Sequence, residues 1–193
     1  MNTVEVLKEA VGVLRGGGVI LYPTDTVWGI GCDATDPKAV ARVYEIKRRS
    51  EAKSLVLLAA DLDMVARYVK AVPNIAIDLV EVNDRPMTLI YPEAITGRYG
   101  LAENAVAEDG SVGMRIPLPG FWRDLVARLG RPLVSTSANI SGEPTPRRFA
   151  EIPEEIRAAV DYVVPAPLER GSTGAASQII KVGLGGEVEI IRA

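Results

Sequence analysis

The clearest candidate for chemistry is segment 132–142, in which a predicted strand ends in small polar residues. Leu133 and Val134 are the apolar strand residues, after a proline that a strand tolerates at its first position. The polar residues that follow are Ser135, Thr136, Ser137, Asn139 and Ser141, closed by Gly142. Ligands in open α/β sheets bind where strands end, so these hydroxyl and amide groups are candidate ligand contacts. The alternative is a polar turn that only joins two elements.

A second polar segment, residues 22–31, has the same character. It also follows a short apolar strand, predicted at 19–21, and it presents the hydroxyl groups of Thr24 and Thr26. Taken alone, these two residues are typical of a turn. Two such segments far apart in one chain favour a shared ligand site over two unrelated turns.

A local basic cluster consists of Lys47, Arg48, Arg49 and Lys53. One interpretation is that these cations complement the negative C-terminal end of a helix. The other is a polyphosphate clamp, because the planar guanidinium of arginine binds two phosphate oxygens at once.

Arg115 lies between apolar Met114 and Ile116 on a predicted strand. An arginine in such surroundings either pairs with a carboxylate or faces an anionic ligand, since an unpaired buried charge is costly. The ligand is the interpretation that we favour.

The composition excludes several kinds of active site. The 193 residues contain no histidine and only one cysteine, Cys32. The chain therefore has no Ser-His-Asp or Cys-His catalysis, no histidine-based zinc site, no internal disulfide and no cysteine-based zinc site. It also has no GxxxxGK[ST] phosphate-binding loop, and its net charge of −3 gives no overall basic field for nucleic acid. The chemistry must therefore depend on positioning and charge.

The order of the predicted elements favours a mixed, twisted α/β sheet. A first helix is capped near its start by Asn2 or Thr3, and a second begins at Asp36. The last predicted strands, 178–182 and 188–192, are close enough in sequence to pair as a hairpin. The longest apolar run, 55–60, is far too short to cross a bilayer. No signal-peptide pattern is seen, so a cytoplasmic location is expected.

Four motifs together resemble the threonylcarbamoyl-AMP synthase family, also called YrdC/TsaC. They are segments 22–31, 47–49, 114–117 and 132–142, in the family's order and at close to its spacing. The resemblance covers nearly the whole chain. It implies a single YrdC-like catalytic domain over residues 1–193, with about seven mixed parallel and antiparallel strands flanked by helices and a concave ligand cavity. It also implies the short, single-domain form, because longer members add a C-terminal domain.

The resemblance assigns site residues position by position. Lys47 and Arg49 match a Lys-x-Arg element and are implied as catalytic residues. The implied ATP-binding residues are Arg49, Lys53, Ser111, Ser137, Asn139, Thr145 and Arg192. The implied threonine-binding residues are Thr26, Leu58, Arg115, Ser135 and Ser177. No dedicated metal site is implied, and Ser50 and Ser54 replace the prolines usual in the family.

The implied activity joins ATP, L-threonine and bicarbonate to give threonylcarbamoyl-AMP and pyrophosphate, a nucleotidyltransferase reaction. Mg²⁺ is expected to be held mainly through the ATP phosphates. The product would pass to a tRNA threonylcarbamoyltransferase that makes threonylcarbamoyladenosine in tRNA. Weak or no direct binding of nucleic acid and no association with membranes are expected.

Three alternatives remain. A carbamoyl-adenylate domain of the kind found in hydrogenase maturation is opposed by the lack of zinc-finger cysteines and of a second domain. An RNA-binding, ribosome- or tRNA-associated module is opposed by the negative net charge and the 5% aromatic content. A structural or regulatory protein with a vestigial cavity would show no turnover.

Overall fold

The computed structural model describes residues 2–49 and 55–193, and a mixed β-sheet forms its centre. The strands are β1 (Ile20–Tyr22), β2 (Gly29–Gly31), β3 (Val56–Leu58), β4 (Met87–Tyr91), β5 (Val112–Arg115), β6 (Leu133–Ser137), β7 (Tyr162–Val163), β8 (Gln178–Val182) and β9 (Val188–Arg192). The α-helices are α1 (Thr3–Arg15), α2 (Pro37–Lys47), α3 (Leu62–Tyr68), α4 (Asn74–Val82), α5 (Phe121–Leu129) and α6 (Glu154–Ala159). Three short 3₁₀ helices are Glu103–Ala105, Phe149–Glu151 and Ala166–Glu169.

The sheet order is β7-β1-β2-β6-β3-β5-β4-β8-β9. The β1–β7, β3–β5 and β4–β8 pairs are parallel and the other neighbours are antiparallel. The predicted mixed α/β sheet flanked by helices is therefore confirmed. The predicted number of about seven strands is wrong, because the described residues form nine. The shortest of them, β7, has only two residues, and it coincides with a strand that the local sequence predicts at 162–164.

Side-chain caps start the two helices that lie nearest the N-terminus. The Asn2 side chain accepts a hydrogen bond from the Val4 N–H of α1, at 3.1 Å. Asp36 accepts from the first-turn N–H groups of α2, where Pro37 loses no intrahelical bond. The basic cluster begins at Lys47, the last residue of α2, and the next residue, Arg48, has a left-handed φ of 49°.

The close contact of β1, β2 and β6 depends on a glycine. Tyr22 of β1 donates a hydrogen bond from its hydroxyl to the Val134 carbonyl of β6, at 3.0 Å. A Cβ on Gly31 of β2 would lie 2.5 Å from that carbonyl oxygen and 2.6 Å from the Tyr22 ring. Only glycine fits there, and this packing fixes the ends of β2 and β6 beside each other.

Among the described residues, none of the helices combines the length and the apolar character needed to cross a bilayer.

Candidate active site

A cavity of about 1050 Å³ opens beside the ends of the central strands. Nine of the site residues assigned from the sequence line it together: Thr26, Arg49, Ser111, Arg115, Ser135, Ser137, Thr145, Ser177 and Arg192. Lys47, Leu58 and Asn139 do not line it, and Lys53 lies outside the described residues. The fold thus brings side chains from both ends of the sequence to one cavity.

Arg115 forms a buried ion pair with a carboxylate that the sequence analysis did not assign. Its Nη1 donates to Asp25, and its Nη2 donates to the Thr26 hydroxyl at 3.2 Å. The other Asp25 carboxylate oxygen accepts from the Leu118 N–H at 3.0 Å, and the Arg115 and Asp25 side chains are only 4% and 1% exposed. The alternative interpretation of Arg115, an arginine paired with a carboxylate, is therefore the one that the structure shows. Arg115 still lines the cavity, and its contacts with Asp25 and Thr26 fix the orientation of its guanidinium group.

The missed residue had a signal in the sequence. Asp25 is the only acidic residue of segment 22–31, and a buried arginine requires a counter-charge. What the sequence lacks is the tertiary contact, since Asp25 and Arg115 are 90 positions apart.

The hydroxyl of Thr26 is held in one orientation by its neighbours. Thr24 Oγ1 donates to the Val27 carbonyl at 2.7 Å, so Thr26 must be the donor in the 2.8 Å contact between the two threonine hydroxyls. Because Thr26 also accepts from Arg115, its hydroxyl offers a ligand one remaining acceptor position. A ligand hydroxyl that donates to this position would match it.

Ser177 is brought to the same end of the cavity by the loop 171–177. The N–H of Thr173 donates to the Asp25 carbonyl at 2.9 Å, and the N–H of Gly174 donates to the Thr26 carbonyl at 2.7 Å. The Ser177 hydroxyl then meets the hydroxyl of Thr88, 2.8 Å away on β4. This loop therefore places a second hydroxyl near Thr26 and Arg115.

Lys47 and Asn139 support the loop that follows β6. Lys47 Nζ donates to the Ser137 carbonyl at 2.6 Å and lies 3.5 Å from Asn139 Oδ1. The Asn139 amide nitrogen donates to the carbonyls of Ile140 and Glu143, both at 2.9 Å. Both side chains support the cavity wall on the side away from the cavity.

Leu58 is a fully buried residue of β3, directly opposite Arg115 in the strand pairing.

Burial and the positive charge of Arg49 lower the pKa of Lys47 to about 8. Although the chain has no histidine, this lysine titrates near neutrality. Its Nζ lies within hydrogen-bond distance of three oxygen atoms, the carbonyl and hydroxyl oxygens of Ser137 and Oδ1 of Asn139.

Replacing Lys47 by methionine is expected to change how stability depends on pH. An unfolded lysine has a pKa of about 10.4, so between pH 8 and that value the unfolded chain binds more protons than the folded chain. The free energy of unfolding of the wild type should therefore rise by about 1–3 kcal/mol relative to Lys47→Met between pH 7.5 and 10. Urea titrations at both pH values measure this difference. An offset between Lys47→Met and the wild type that stays the same at both pH values would contradict the lowered pKa.

The cavity is lined by cationic rather than anionic side chains. Arg49, Arg115, Arg147 and Arg192 line it, whereas no aspartate or glutamate among the described residues does. Arg192 donates from Nε and Nη2 to the Ser177 carbonyl, at 2.9 and 2.7 Å. Such a lining favours anionic ligands, and guanidinium groups bind phosphate and carboxylate oxygens in particular.

Comparisons with known proteins point to one group of relatives. The family model for Sua5, YciO and YrdC proteins, described as telomere recombination, matches residues 12–193. A threonylcarbamoyl-AMP synthase of Xanthomonas euvesicatoria pv. vesicatoria is 37% identical over 175 residues, which are 89% of this chain and 89% of that protein.

Two solved structures share the fold. Sua5 of P. abyssi, crystallised in complex with L-threonine, has a TM-score of 0.82 and 25% identity over 94% of this chain. This chain spans only about half of the P. abyssi Sua5 chain, 52% of its length. YciO of E. coli has a TM-score of 0.78 and 24% identity, covering 99% of this chain and 89% of YciO, and supports the fold alone.

Proposed function

Because the chain belongs to the Sua5/YciO/YrdC family, we propose that it is an L-threonylcarbamoyladenylate synthase. In this reaction, ATP, L-threonine and bicarbonate give threonylcarbamoyl-AMP and pyrophosphate. The relatives named threonylcarbamoyl-AMP synthase indicate an enzyme that forms an adenylate, and we assign it to the nucleotidyltransferases. Residues 1–193 act as one catalytic domain in this proposal. The observation that carries it is a cavity lined by arginines and hydroxyl groups without any acidic side chain among the described residues.

Threonine would bind at the buried end of the cavity. Two of the five N–H groups of Arg115 contact Asp25 and Thr26, so others remain for the substrate carboxylate. Thr26, Ser135 and Ser177 supply the hydroxyl groups around the substrate side chain. Leu58, which is fully buried, would act through the backbone pairing of β3 with Arg115.

ATP would occupy the rest of the cavity. We assign its contacts to the lining residues Arg49, Ser111, Ser137, Thr145 and Arg192, together with Lys53. Lys47 and Asn139 support Ser137 on the side away from the cavity, so we assign them positioning roles.

The proposed reaction proceeds through the carbamate of threonine, N-carboxythreonine, which forms from the threonine amine and bicarbonate with loss of water. A carbamate oxygen attacks the α-phosphorus while the bond to pyrophosphate breaks. Negative charge then grows on phosphate oxygens, which arginine side chains stabilise without any proton transfer.

Mg²⁺ fits this arrangement through the nucleotide. The described residues contain no group of three or more acidic, histidine or cysteine side chains that could hold a metal ion. A Mg²⁺ ion would therefore be bound mainly by phosphate oxygens and water, and it would neutralise phosphate charge.

Pyrophosphate release tests the proposed function. Purified protein should release pyrophosphate from ATP only when L-threonine and bicarbonate are both present. Release that is independent of threonine, or no release at all, would contradict the proposal.

Transfer of the product to tRNA by a threonylcarbamoyltransferase is the proposed next step. The cytoplasm is the proposed location of the protein.

Replacing Arg49 by alanine is expected to weaken ATP binding by about 1.5–3 kcal/mol, the range for a lost hydrogen bond to a charged group. Threonine affinity measured without nucleotide should change much less, because Thr26 and Arg115 are untouched. Titration calorimetry measures both affinities. Arg48→Ala is the matched control, since Arg48 is the adjacent residue, is 68% exposed and pairs with Glu155 outside the cavity. Equal losses for the two variants, or an equal loss of threonine and ATP affinity for Arg49→Ala, would remove Arg49 from the nucleotide site.

A further inference from the structure

Arg147 is a cavity residue that the sequence analysis did not assign. It lines the cavity two positions after Thr145, and its backbone is part of an irregular segment between β6 and α6. Its side chain is exposed, and its guanidinium makes no hydrogen bond or ion pair with any of the described residues. By contrast, Arg115 is held by Asp25 and Arg192 by the Ser177 carbonyl.

The backbone that carries Arg147 is rigidly placed. Pro144 and Pro146 restrict the chain to an extended course, which directs Thr145 and Arg147 to the same side. The Arg147 N–H donates to the Glu151 carboxylate at 2.8 Å. Arg147 therefore combines a fixed main chain with a guanidinium that is free to take up a ligand.

The segment is also anchored to the cavity wall at both ends. At its start, the Glu143 carbonyl accepts from Asn139 at 2.9 Å. Beyond Arg147, the Phe149 N–H and the Trp28 indole both donate to the Glu169 carboxylate, at 3.0 and 2.7 Å. Since Trp28 belongs to the lining, these contacts hold Arg147 at the cavity.

We propose that Arg147 binds the phosphate chain of the nucleotide as a further specificity-determining residue. The proposal rests on the proposed function and adds to it a cation that the family resemblance did not assign. Guanidinium groups bind phosphate oxygens bidentately, and no acidic side chain among the described residues of the lining competes for Arg147. An unpaired, exposed arginine at a cavity can bind an entering anion without first breaking another ion pair.

The test compares Arg147→Gln with Arg148→Gln. Both residues are exposed, neither guanidinium has a partner in the described structure, and only Arg147 lines the cavity. Calorimetry with ATP and, separately, with L-threonine gives the affinities. Arg147→Gln should weaken ATP binding about tenfold or more, as for a lost charge-assisted contact. Arg148→Gln should change it less than about twofold, because charges outside contact are screened at physiological salt. Threonine affinity should stay the same in both variants.

Three results would overturn the proposal. They are unchanged ATP affinity in Arg147→Gln, equal losses in the two variants, and a parallel loss of threonine affinity, which would indicate a deformed cavity. Failure of the proposed function would look different. In that case the wild type itself would show no pyrophosphate release that requires both threonine and bicarbonate.

Discussion

Replacing Asp25 by asparagine is expected to destabilise the fold by about 3–5 kcal/mol, the range for removing one partner of a buried ion pair. The amide has one oxygen where the carboxylate has two. Its NH₂ group would face a donor in either orientation, because Asp25 accepts from Arg115 on one side and from the Leu118 N–H on the other. The variant therefore leaves a buried guanidinium without its counter-charge.

Urea unfolding of Asp25→Asn and of the control Glu155→Gln measures this effect. Glu155 pairs with Arg48 at 2.9 Å, but the two side chains are 50% and 68% exposed. An exposed pair contributes about 0–1 kcal/mol, so the control should lose little stability. The double variant Asp25→Asn/Arg115→Met should lose less than the sum of the two single losses, because it leaves no unpaired charge. Similar losses for Asp25→Asn and Glu155→Gln would show that the buried pair is not a stabilising contact.

Local sequence signals predicted the first two helices and several of the strands. The capping side chains of Asn2 and Asp36 and the apolar faces that follow them are contained within one or two helical turns. The residue types at strand ends likewise predicted polar groups at one site. Helix caps, apolar helix faces and polar strand ends depend on residues that are close together in the sequence, so one sequence is enough to predict them.

Pairing between distant segments could not be predicted in the same way. The two-residue strand β7 pairs with Ile20 and Leu21, about 140 positions earlier in the chain, and nothing in its local sequence indicates that partner. The Asp25–Arg115 pair joins segments 90 positions apart. A pattern of apolar and polar residues identifies which side of a strand is buried, but not which side chain lies opposite.

The resemblance assigned residues to the site without giving their geometry. Lys47 was implied as catalytic, and its ammonium group instead contacts Ser137 behind the cavity wall. Arg147 was not among the residues that the resemblance implied, and its side chain lines the cavity. In both cases the deciding fact is the direction in which a long side chain points, which residue type alone does not determine.

In the proposed threonine site, the hydroxyl groups around Thr26 would recognise a substrate hydroxyl. Thr26 already donates to Thr24 and accepts from Arg115, so a substrate hydroxyl that donates to Thr26 completes the set. Ser177 is buried, and its hydroxyl forms a hydrogen bond with the hydroxyl of Thr88. An apolar substrate side chain would leave the remaining acceptor position of the Thr26 hydroxyl without a hydrogen bond, which is costly for a buried polar group.

Amino-acid preference is therefore expected to follow threonine, then serine, then valine. Valine is nearly isosteric with threonine but lacks the hydroxyl, and a site built to bind a substrate hydroxyl rejects such an analogue by about 10⁴–10⁵ in kcat/KM. Serine keeps the hydroxyl and loses only a methyl contact, which costs about 1–3 kcal/mol, or roughly 10–200-fold. Pyrophosphate release from ATP at matched bicarbonate, with each amino acid in turn, measures the order. Thr26→Val should lower activity with threonine and reduce the advantage of threonine over valine. Thr35→Val is the control, because the Thr35 hydroxyl donates to Asp33 and Thr35 does not line the cavity. This variant should leave the order of preference intact. Turnover of valine as fast as serine would mean that Thr26, Ser135 and Ser177 do not contact the substrate side chain, and the proposed threonine site would have to be placed elsewhere in the cavity.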